Sequence, residues 1–212
     1  MARFPGYDVL SKRNGLSWND VTRRVVDARL AVPLAPAFFT KGQWDTLRKL
    51  CDRIIPQPSD RPEVPLAAYI DQKMLSVGDA GTRIEPMPWD GEAWKRALDA
   101  LDLEARGAFG TGFHLLGDAD ADALLHRMQA GTLHDAAWGN VPPKLFFAKR
   151  VLTDIPAAYY AHPTAWSEIG FGGPASPRGY VRMGANRRDP WEAEEAAPGT
   201  FEKTARRNRH VG

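Results

Sequence analysis

Apolar residues of this chain recur at the spacing of an α-helix, and prolines or glycines separate one periodic segment from the next. No stretch alternates apolar with polar residues, which is the pattern of a half-buried β-strand. With 17 prolines and 19 glycines in 212 residues, each periodic segment has a stop signal nearby. The sequence therefore predicts an all-α protein, an irregular bundle of about six helices with extended N- and C-terminal arms.

Two capping boxes predict where the first two helices begin. In Ser17–Asp20 and in Thr40–Gln43, the first side chain is placed to accept a hydrogen bond from the backbone N–H three residues later. After the first box, Val21, Val25 and Leu30 predict a helix about one apolar stripe wide. Further helices are predicted at residues 66–75, 90–106, 118–130 and about 142–160.

Single residues predict how the later helices begin and end. Asp90 is the expected N-cap of its helix. Gly131 is the expected left-handed stop of the helix before it. Pro156 falls inside the last helix, where we expect a kink or an early end.

The pattern divides the chain into three expected parts. Residues 1–16 form an irregular N-terminal arm, residues 17–160 a helical domain, and residues 161–212 an extended C-terminal arm rich in proline and glycine. The stretch His162–Tyr180 in that arm is expected to form neither helix nor strand. Ordering about fifty residues costs more conformational entropy than the burial of five aromatic side chains offsets.

This imbalance predicts that the C-terminal arm rests on a second polypeptide. Trp, Tyr and Arg dominate the residues that bind most strongly at protein interfaces. The expected partner contacts in the arm are Trp166, Phe171, Arg178, Tyr180, Arg182 and Trp191. Two alternatives stay open: the arm folds back over its own helices, or residues 162–180 lie on the body while the rest binds a partner.

Composition excludes several classes of function. The formal net charge of +2 does not favour nucleic acid or an anionic membrane as a partner. Cys51 is the single cysteine, so the chain has no internal disulfide and no cysteine-based metal site. No apolar run approaches the ~20 residues of a membrane span. Arg23-Arg24 is not followed by the apolar stretch of a twin-arginine export signal, so we expect a cytoplasmic protein, or a periplasmic one exported by its partner's signal.

Motifs that would carry chemistry are incomplete. The acidic run Asp118–Asp122 lacks the glycine and glutamate of a calcium loop, since Ala123 and Gln129 stand in those places. The glycines of 110–112 and 170–173 do not follow a strand, as a nucleotide-binding loop requires. We therefore expect no catalytic, cofactor-binding or metal-binding residue in this chain.

Histidine chemistry is the alternative that remains. Five histidines are scattered along the chain without the spacing of a metal pair. His162 and Glu168 form the best local acid–base pair, and with Arg178 they outline the site of a stand-alone enzyme. The competing interpretation is that these residues make hydrogen bonds that order the arm.

Four segments resemble the gluconate 2-dehydrogenase subunit 3 family, the small accessory subunits of bacterial flavoprotein dehydrogenases. They are LRKLCDRIIPQPSD (Leu47–Asp60), LAAYIDQKM (Leu66–Met74), LLHRMQAG (Leu124–Gly131) and FFAKRVLTDIPAAYYAHPTAWSEIGFGGPASPRGY (Phe146–Tyr180). The first and last are the more specific.

The resemblance implies an all-helical, non-catalytic subunit in a heterodimer. Its partner would be a large FAD-containing subunit of the glucose–methanol–choline (GMC) class that oxidises sugars or alcohols, together with a cytochrome c or another electron-transfer subunit. The small subunit would stabilise its partner, or act like a chaperone in its maturation or export. Family members often carry a twin-arginine signal, and its absence here is a departure. A scaffold protein without a flavoprotein partner is a further alternative.

Overall fold

The computed structural model of the chain describes residues 2–59, 61–77, 83–176, 179, 184 and 187–210. Within these residues the structure consists of helices and turns without a β-strand, so the all-α prediction is confirmed. In chain order the α-helices are α1 (Asp20–Leu30), α2 (Lys41–Ile54), α3 (Leu66–Val77), α4 (Asp90–Phe109), α5 (Asp118–Ala130), α6 (Pro143–Phe146), α7 (Leu152–Ala161), α8 (Pro163–Ile169) and α9 (Phe201–Asn208).

The chain divides into two compact units. The central unit is Val32–Ala158, and the terminal unit combines Met1–Ala31 with Tyr159–Gly212. Both expected arms, residues 1–16 and 161–212, are therefore parts of the terminal unit.

The core of the central unit is built around Trp94 of α4. Its ring meets the ring of Phe146 edge-on, with centroids 4.9 Å apart. Its indole N–H donates a hydrogen bond of 2.9 Å to Asp154, and the other carboxylate oxygen of Asp154 accepts from the Lys73 ammonium at 2.8 Å. This buried carboxylate thus has a partner for each oxygen, as a buried charge requires. The surrounding core includes Leu47, Leu50, Ile70, Leu98, Leu101, Leu124 and Val151.

Local signals at two helix ends are confirmed. Thr40 and Gln43 form the predicted capping box of α2, with reciprocal side-chain to backbone hydrogen bonds of 3.3 and 3.1 Å. Gly131 ends α5 in the left-handed region at φ +80°. Both features depend only on neighbouring residues.

Two expectations for the central unit are corrected. Asp90 is the first residue of α4 and not its N-cap, because its buried carboxylate pairs with the guanidinium of Arg150. Pro156 does not end α7 early, since the helix runs on to Ala161; a kink at Pro156 stays a prediction. A π turn at Phe147–Val151 precedes α7, and such a turn adds one residue to the helical circuit.

Helix α1 begins later than predicted, because the backbone before it pairs with another segment of the chain. Ser17 and Asn19 pair with Ser176, through N–H to O hydrogen bonds of 2.9 and 3.0 Å that hold this stretch extended. Asn19 is therefore the N-cap, and its side chain accepts from the N–H of Thr22. The predicted single stripe is also corrected: Leu30 lies on the opposite side of α1 from Val21, all three apolar residues are exposed, and α1 buries Thr22 and Val26.

The C-terminal arm is more regular than its proline and glycine content suggested. The described residues of 162–176 and 187–210 include helices α8 and α9, so the expectation of an irregular arm is corrected. The amide of Ala196 donates a 3.0 Å hydrogen bond to the carbonyl oxygen of Arg3, and the guanidinium of Arg3 pairs with Glu195. For these residues, folding back on the chain's own N-terminal segment is the alternative that holds.

Candidate partner-binding surface

Helix α8 positions the central aromatic residue of the candidate surface. His162 is its N-cap and accepts from the N–H of Thr164 at 3.2 Å, while Pro163 occupies the first helical position, where a missing N–H costs nothing. Gly170 ends the helix at φ +69°. A Cβ atom at Gly170 would lie 2.6 Å from the ring of Phe4, so this turn requires glycine.

Trp166 is a core residue of the terminal unit. Its side chain is buried, with 3% of its surface exposed, and it belongs to one hydrophobic cluster with Tyr7, Val9, Trp18, Val26 and Ala193. Its indole N–H donates a 2.6 Å hydrogen bond to the carbonyl oxygen of Tyr160. The guanidinium of Arg29 lies over its ring, 5.2 Å from the centroid. Trp166 therefore offers little surface of its own to a partner.

Three exposed apolar residues lie close to Trp166 in the chain. Tyr160, Ile169 and Phe171 expose 52%, 44% and 43% of their surface. The ring of Phe171 meets the ring of Trp166 edge-on at 5.7 Å, and its N–H donates 2.9 Å to the carbonyl oxygen of Trp166. We call Tyr160, Ile169 and Phe171 the Trp166 platform. Apolar side chains that are rigidly supported and still exposed are typical of binding surfaces.

The other expected contact residues separate into two groups. Trp191 is half-buried, and its carbonyl oxygen accepts from the Tyr7 hydroxyl at 2.9 Å. Arg178, Tyr180 and Arg182 lie outside the described residues. Among the expected contacts with a described position, Phe171 is the one that presents a large exposed surface.

A buried ammonium lies beside Trp191. Lys12 is 1% exposed, and its Nζ atom is 5.5 Å from the ring centroid of Trp18 and 5.9 Å from that of Trp191. Burial lowers the pKa of Lys12 to about 8, against the opposing effects of Glu192 and Asp189. The sequence pattern gave no signal for this arrangement.

The residues of the enzyme alternative are engaged in holding the terminal unit. Burial lowers the pKa of His162, which favours the neutral ring that caps α8 through Nδ1. The Glu168 carboxylate accepts a hydrogen bond from the Tyr159 hydroxyl. Arg178, the third member of the set, is outside the described residues. These contacts match the expectation that His162 and Glu168 order the arm.

The central unit has an open cavity of about 340 Å³ beside the C-terminal half of α4. One oxygen of Glu104 in its wall accepts from the backbone N–H groups of His134 and Asp135, at 2.7 and 2.8 Å, and from the indole of Trp138 at 3.2 Å. This carboxylate thus stabilises the loop after α5.

Across the described residues no three His, Cys, Asp or Glu side chains gather as metal ligands would.

None of the helices in the described residues combines the length and the apolarity that a bilayer crossing requires.

The described residues form an all-α fold with exposed apolar side chains near Trp166. The sequence profile of the family described as gluconate 2-dehydrogenase subunit 3 matches residues 41–173. The chain belongs to this family, whose members are described as dehydrogenase subunits. Neither a curated protein nor a solved structure matches the chain.

Of the three platform residues, the sequence predicted Phe171 as a contact, whereas Tyr160 and Ile169 were not predicted. The signal for Ile169 was present, because proline at position 163 and glycine at position 170 bracket a short helix. Tyr160 carries no comparable signal: its neighbour Tyr159 is buried, and helical periodicity alone does not decide which of two adjacent tyrosines packs inward.

Proposed function

We propose that this chain is a non-catalytic small subunit that binds a large FAD-containing GMC-type dehydrogenase subunit acting on sugars or alcohols. It stabilises that subunit or assists its maturation, and the flavin chemistry belongs to the partner. An electron-transfer subunit such as a cytochrome c completes the assembly, and the compartment of the complex follows from the partner's signal.

The observation that carries this proposal is where the Trp166 platform lies. Tyr160, Ile169 and Phe171 fall inside the region 41–173 that matches the subunit family. Their side chains stay exposed, whereas Trp166 is buried; its ring packs edge-on against Phe171 and its indole N–H donates to the Tyr160 carbonyl oxygen. A dehydrogenase subunit needs a surface that recognises another subunit, and a packed aromatic group of this kind suits the centre of an interface.

The platform is suited to bind a partner through apolar contact. Edge-on packing against Trp166 restricts the ring of Phe171, so binding a partner costs less side-chain entropy than it would for an unsupported ring. Covering the three exposed side chains removes apolar surface from water. The partner is therefore expected to present an apolar pocket to Phe171.

The experiment is co-expression of the catalytic flavoprotein subunit of the same organism with and without this chain. The soluble yield of the catalytic subunit and its FAD content, read from flavin absorbance, should both rise when the chain is present. Phe171→Ala should reduce the gain, whereas Leu115→Ala should not, because Leu115 is an exposed apolar residue of the central unit outside the platform. Equal yield and flavin content with and without the chain would contradict the proposal.

A further inference from the structure

Helix α1 carries an exposed apolar stripe that the terminal unit leaves uncovered. Val21 and Val25 expose 57% and 46% of their surface, and Ala28 is exposed as well. The three residues follow the i, i+4, i+7 spacing, so they share one face of the helix. Thr22 and Val26 occupy the buried face, which leaves the stripe free for another molecule.

The helix that bears the stripe is held rigidly. Asn19 caps its first turn, and the guanidinium of Arg23 donates to the carbonyl oxygen of Trp18 at 2.8 Å. Asp27 pairs with Arg13, and Arg29 donates to the carbonyl oxygen of Ala161 at 3.0 Å. A surface ordered in advance loses little conformational freedom when it binds.

The stripe adjoins the support of the Trp166 platform. Val26 lies in the same hydrophobic cluster as Trp166, and Arg29 stacks over the ring of Trp166. Helix α1 and the platform thus share Trp166 as a packing partner within the same unit. Helix α1 precedes residues 41–173, so the family match does not include it.

Charge indicates the chemistry of the occupant. Arg24 lies on α1 beside the stripe, is exposed, and makes no hydrogen bond or ion pair with the residues that the structure describes. The terminal unit as a whole has 14 Lys and Arg residues against 9 Asp and Glu residues. An apolar groove bordered by carboxylates complements this helix.

We propose that the α1 stripe is a second docking surface for the catalytic flavoprotein subunit, which receives α1 in an apolar groove with an acidic rim. Binding follows the helix-in-groove mode, with Val21, Val25 and Ala28 as the inserted side chains and Arg24 paired with the rim. This inference rests on the proposed function, since it assigns a further contact to the same partner.

The test compares affinities of the full chain for the purified catalytic subunit. The double variant Val21→Gln, Val25→Gln makes the stripe polar with residues that favour helices, and should weaken binding about tenfold or more. Arg24→Glu should weaken it and reduce its dependence on salt concentration. The matched control is Leu30→Gln. Leu30 is exposed too, but it is nine residues after Val21 and so lies on the other side of α1. The affinity of this variant for the catalytic subunit should stay within about twofold of the wild type.

The outcomes separate this inference from the proposed function. If the wild-type chain does not bind the catalytic subunit, the proposed function fails. If it binds and the double variant binds equally well, this inference alone is overturned. Loss of a wild-type homodimer in the double variant, measured by sedimentation of the chain alone, would assign the stripe to a second copy and also overturn it.

A measurement without substitutions covers the case in which the variants misfold. Hydrogen exchange of the α1 amides in the wild-type chain should slow on binding the catalytic subunit. Unchanged exchange across α1 in a saturated complex would contradict the inference.

Discussion

The side-chain amide of Asn208 in α9 donates a hydrogen bond of 3.0 Å to the carbonyl oxygen of Pro5, 203 residues earlier in the chain. The same nitrogen donates to the carbonyl oxygen of Glu194 at 2.9 Å, and the amide oxygen accepts from the N–H of Glu194 at 2.8 Å. Beside Pro5, a Cβ atom at Gly6 would lie 2.6 Å from the carbonyl oxygen of Ala205. The two ends of the described chain are thus joined by hydrogen bonds of the buried Asn208 side chain and by the close approach of Gly6 to Ala205.

Replacing Asn208 with alanine should loosen this junction. The change leaves the carbonyl oxygens of Pro5 and Glu194 without this donor, and an unsatisfied buried polar group costs about 1–3 kcal/mol. We expect the amides of α9 to exchange hydrogen faster by a corresponding factor. Arg206→Ala on the exposed side of α9 is the control and should leave exchange unchanged. Equal exchange in both variants would mean that Asn208 does not hold the two ends together.

Truncating Trp166 should mainly lower stability and truncating Phe171 should mainly weaken binding, because Trp166 is buried and Phe171 is exposed. Trp166→Ala removes a core ring and should lower the free energy of unfolding by about 3–5 kcal/mol. Phe171→Ala should change stability by less than about 1.5 kcal/mol while weakening binding to the catalytic subunit. Denaturant unfolding and affinity measurements on both variants give the comparison. A large loss of stability in Phe171→Ala, with unchanged affinity, would make Phe171 a structural residue.

Lys12→Met should change how stability depends on pH. The pKa of Lys12 is lowered to about 8 in the folded protein, whereas an unfolded lysine titrates near 10.4. Between these values the unfolded state binds more protons, so the stability of the wild type should rise with pH. The variant lacks this group and should be the more stable at pH 7, by roughly 3 kcal/mol at most.

Urea unfolding of both proteins at pH 7, 8.5 and 10 measures the difference. The gap between the variant and the wild type should narrow as the pH rises. A constant gap over this range would show that Lys12 keeps its ordinary pKa.

His162→Asn tests the neutral histidine cap of α8. Burial lowers the pKa of His162 below the value of about 6.5 that it has in an unfolded chain. The unfolded state therefore binds more protons in acid, and the wild type should lose stability as the pH falls below about 6.5. Asparagine keeps the capping acceptor without titrating, so the variant should lose less stability between pH 7 and 5. Parallel losses in the two proteins would exclude His162 as the group responsible.

Local signals predicted the parts of the fold that depend on adjacent residues. Thr40 with Gln43 and the glycine at position 131 act through their own backbone neighbourhood, and the sequence located both. Asp90 was misassigned because its partner Arg150 lies sixty residues away. The N-cap of α1 was misplaced by two residues, since the extended pairing with Ser176 is not visible in a local pattern.

The candidate surface was only partly visible in the sequence. Aromatic content marked both Trp166 and Phe171, but composition does not tell a buried ring from an exposed one. The apolar residues of α1 were recognised, but the sequence did not show that they stay exposed while Thr22 and Val26 are buried. Which face packs inward depends on the hydrophobic cluster that Val26 shares with Trp166, a residue of helix α8 far later in the chain. Tertiary packing supplied the missing information.

The mass and flavin content of the species formed with the catalytic subunit test the central claim most directly. Size-exclusion chromatography of the co-expressed proteins, with light scattering and flavin absorbance recorded on the same peak, gives both. We predict that the 23.5 kDa chain elutes in a larger, flavin-containing complex with the catalytic subunit. Elution of the chain on its own, without flavin and apart from a folded catalytic subunit, would contradict the account.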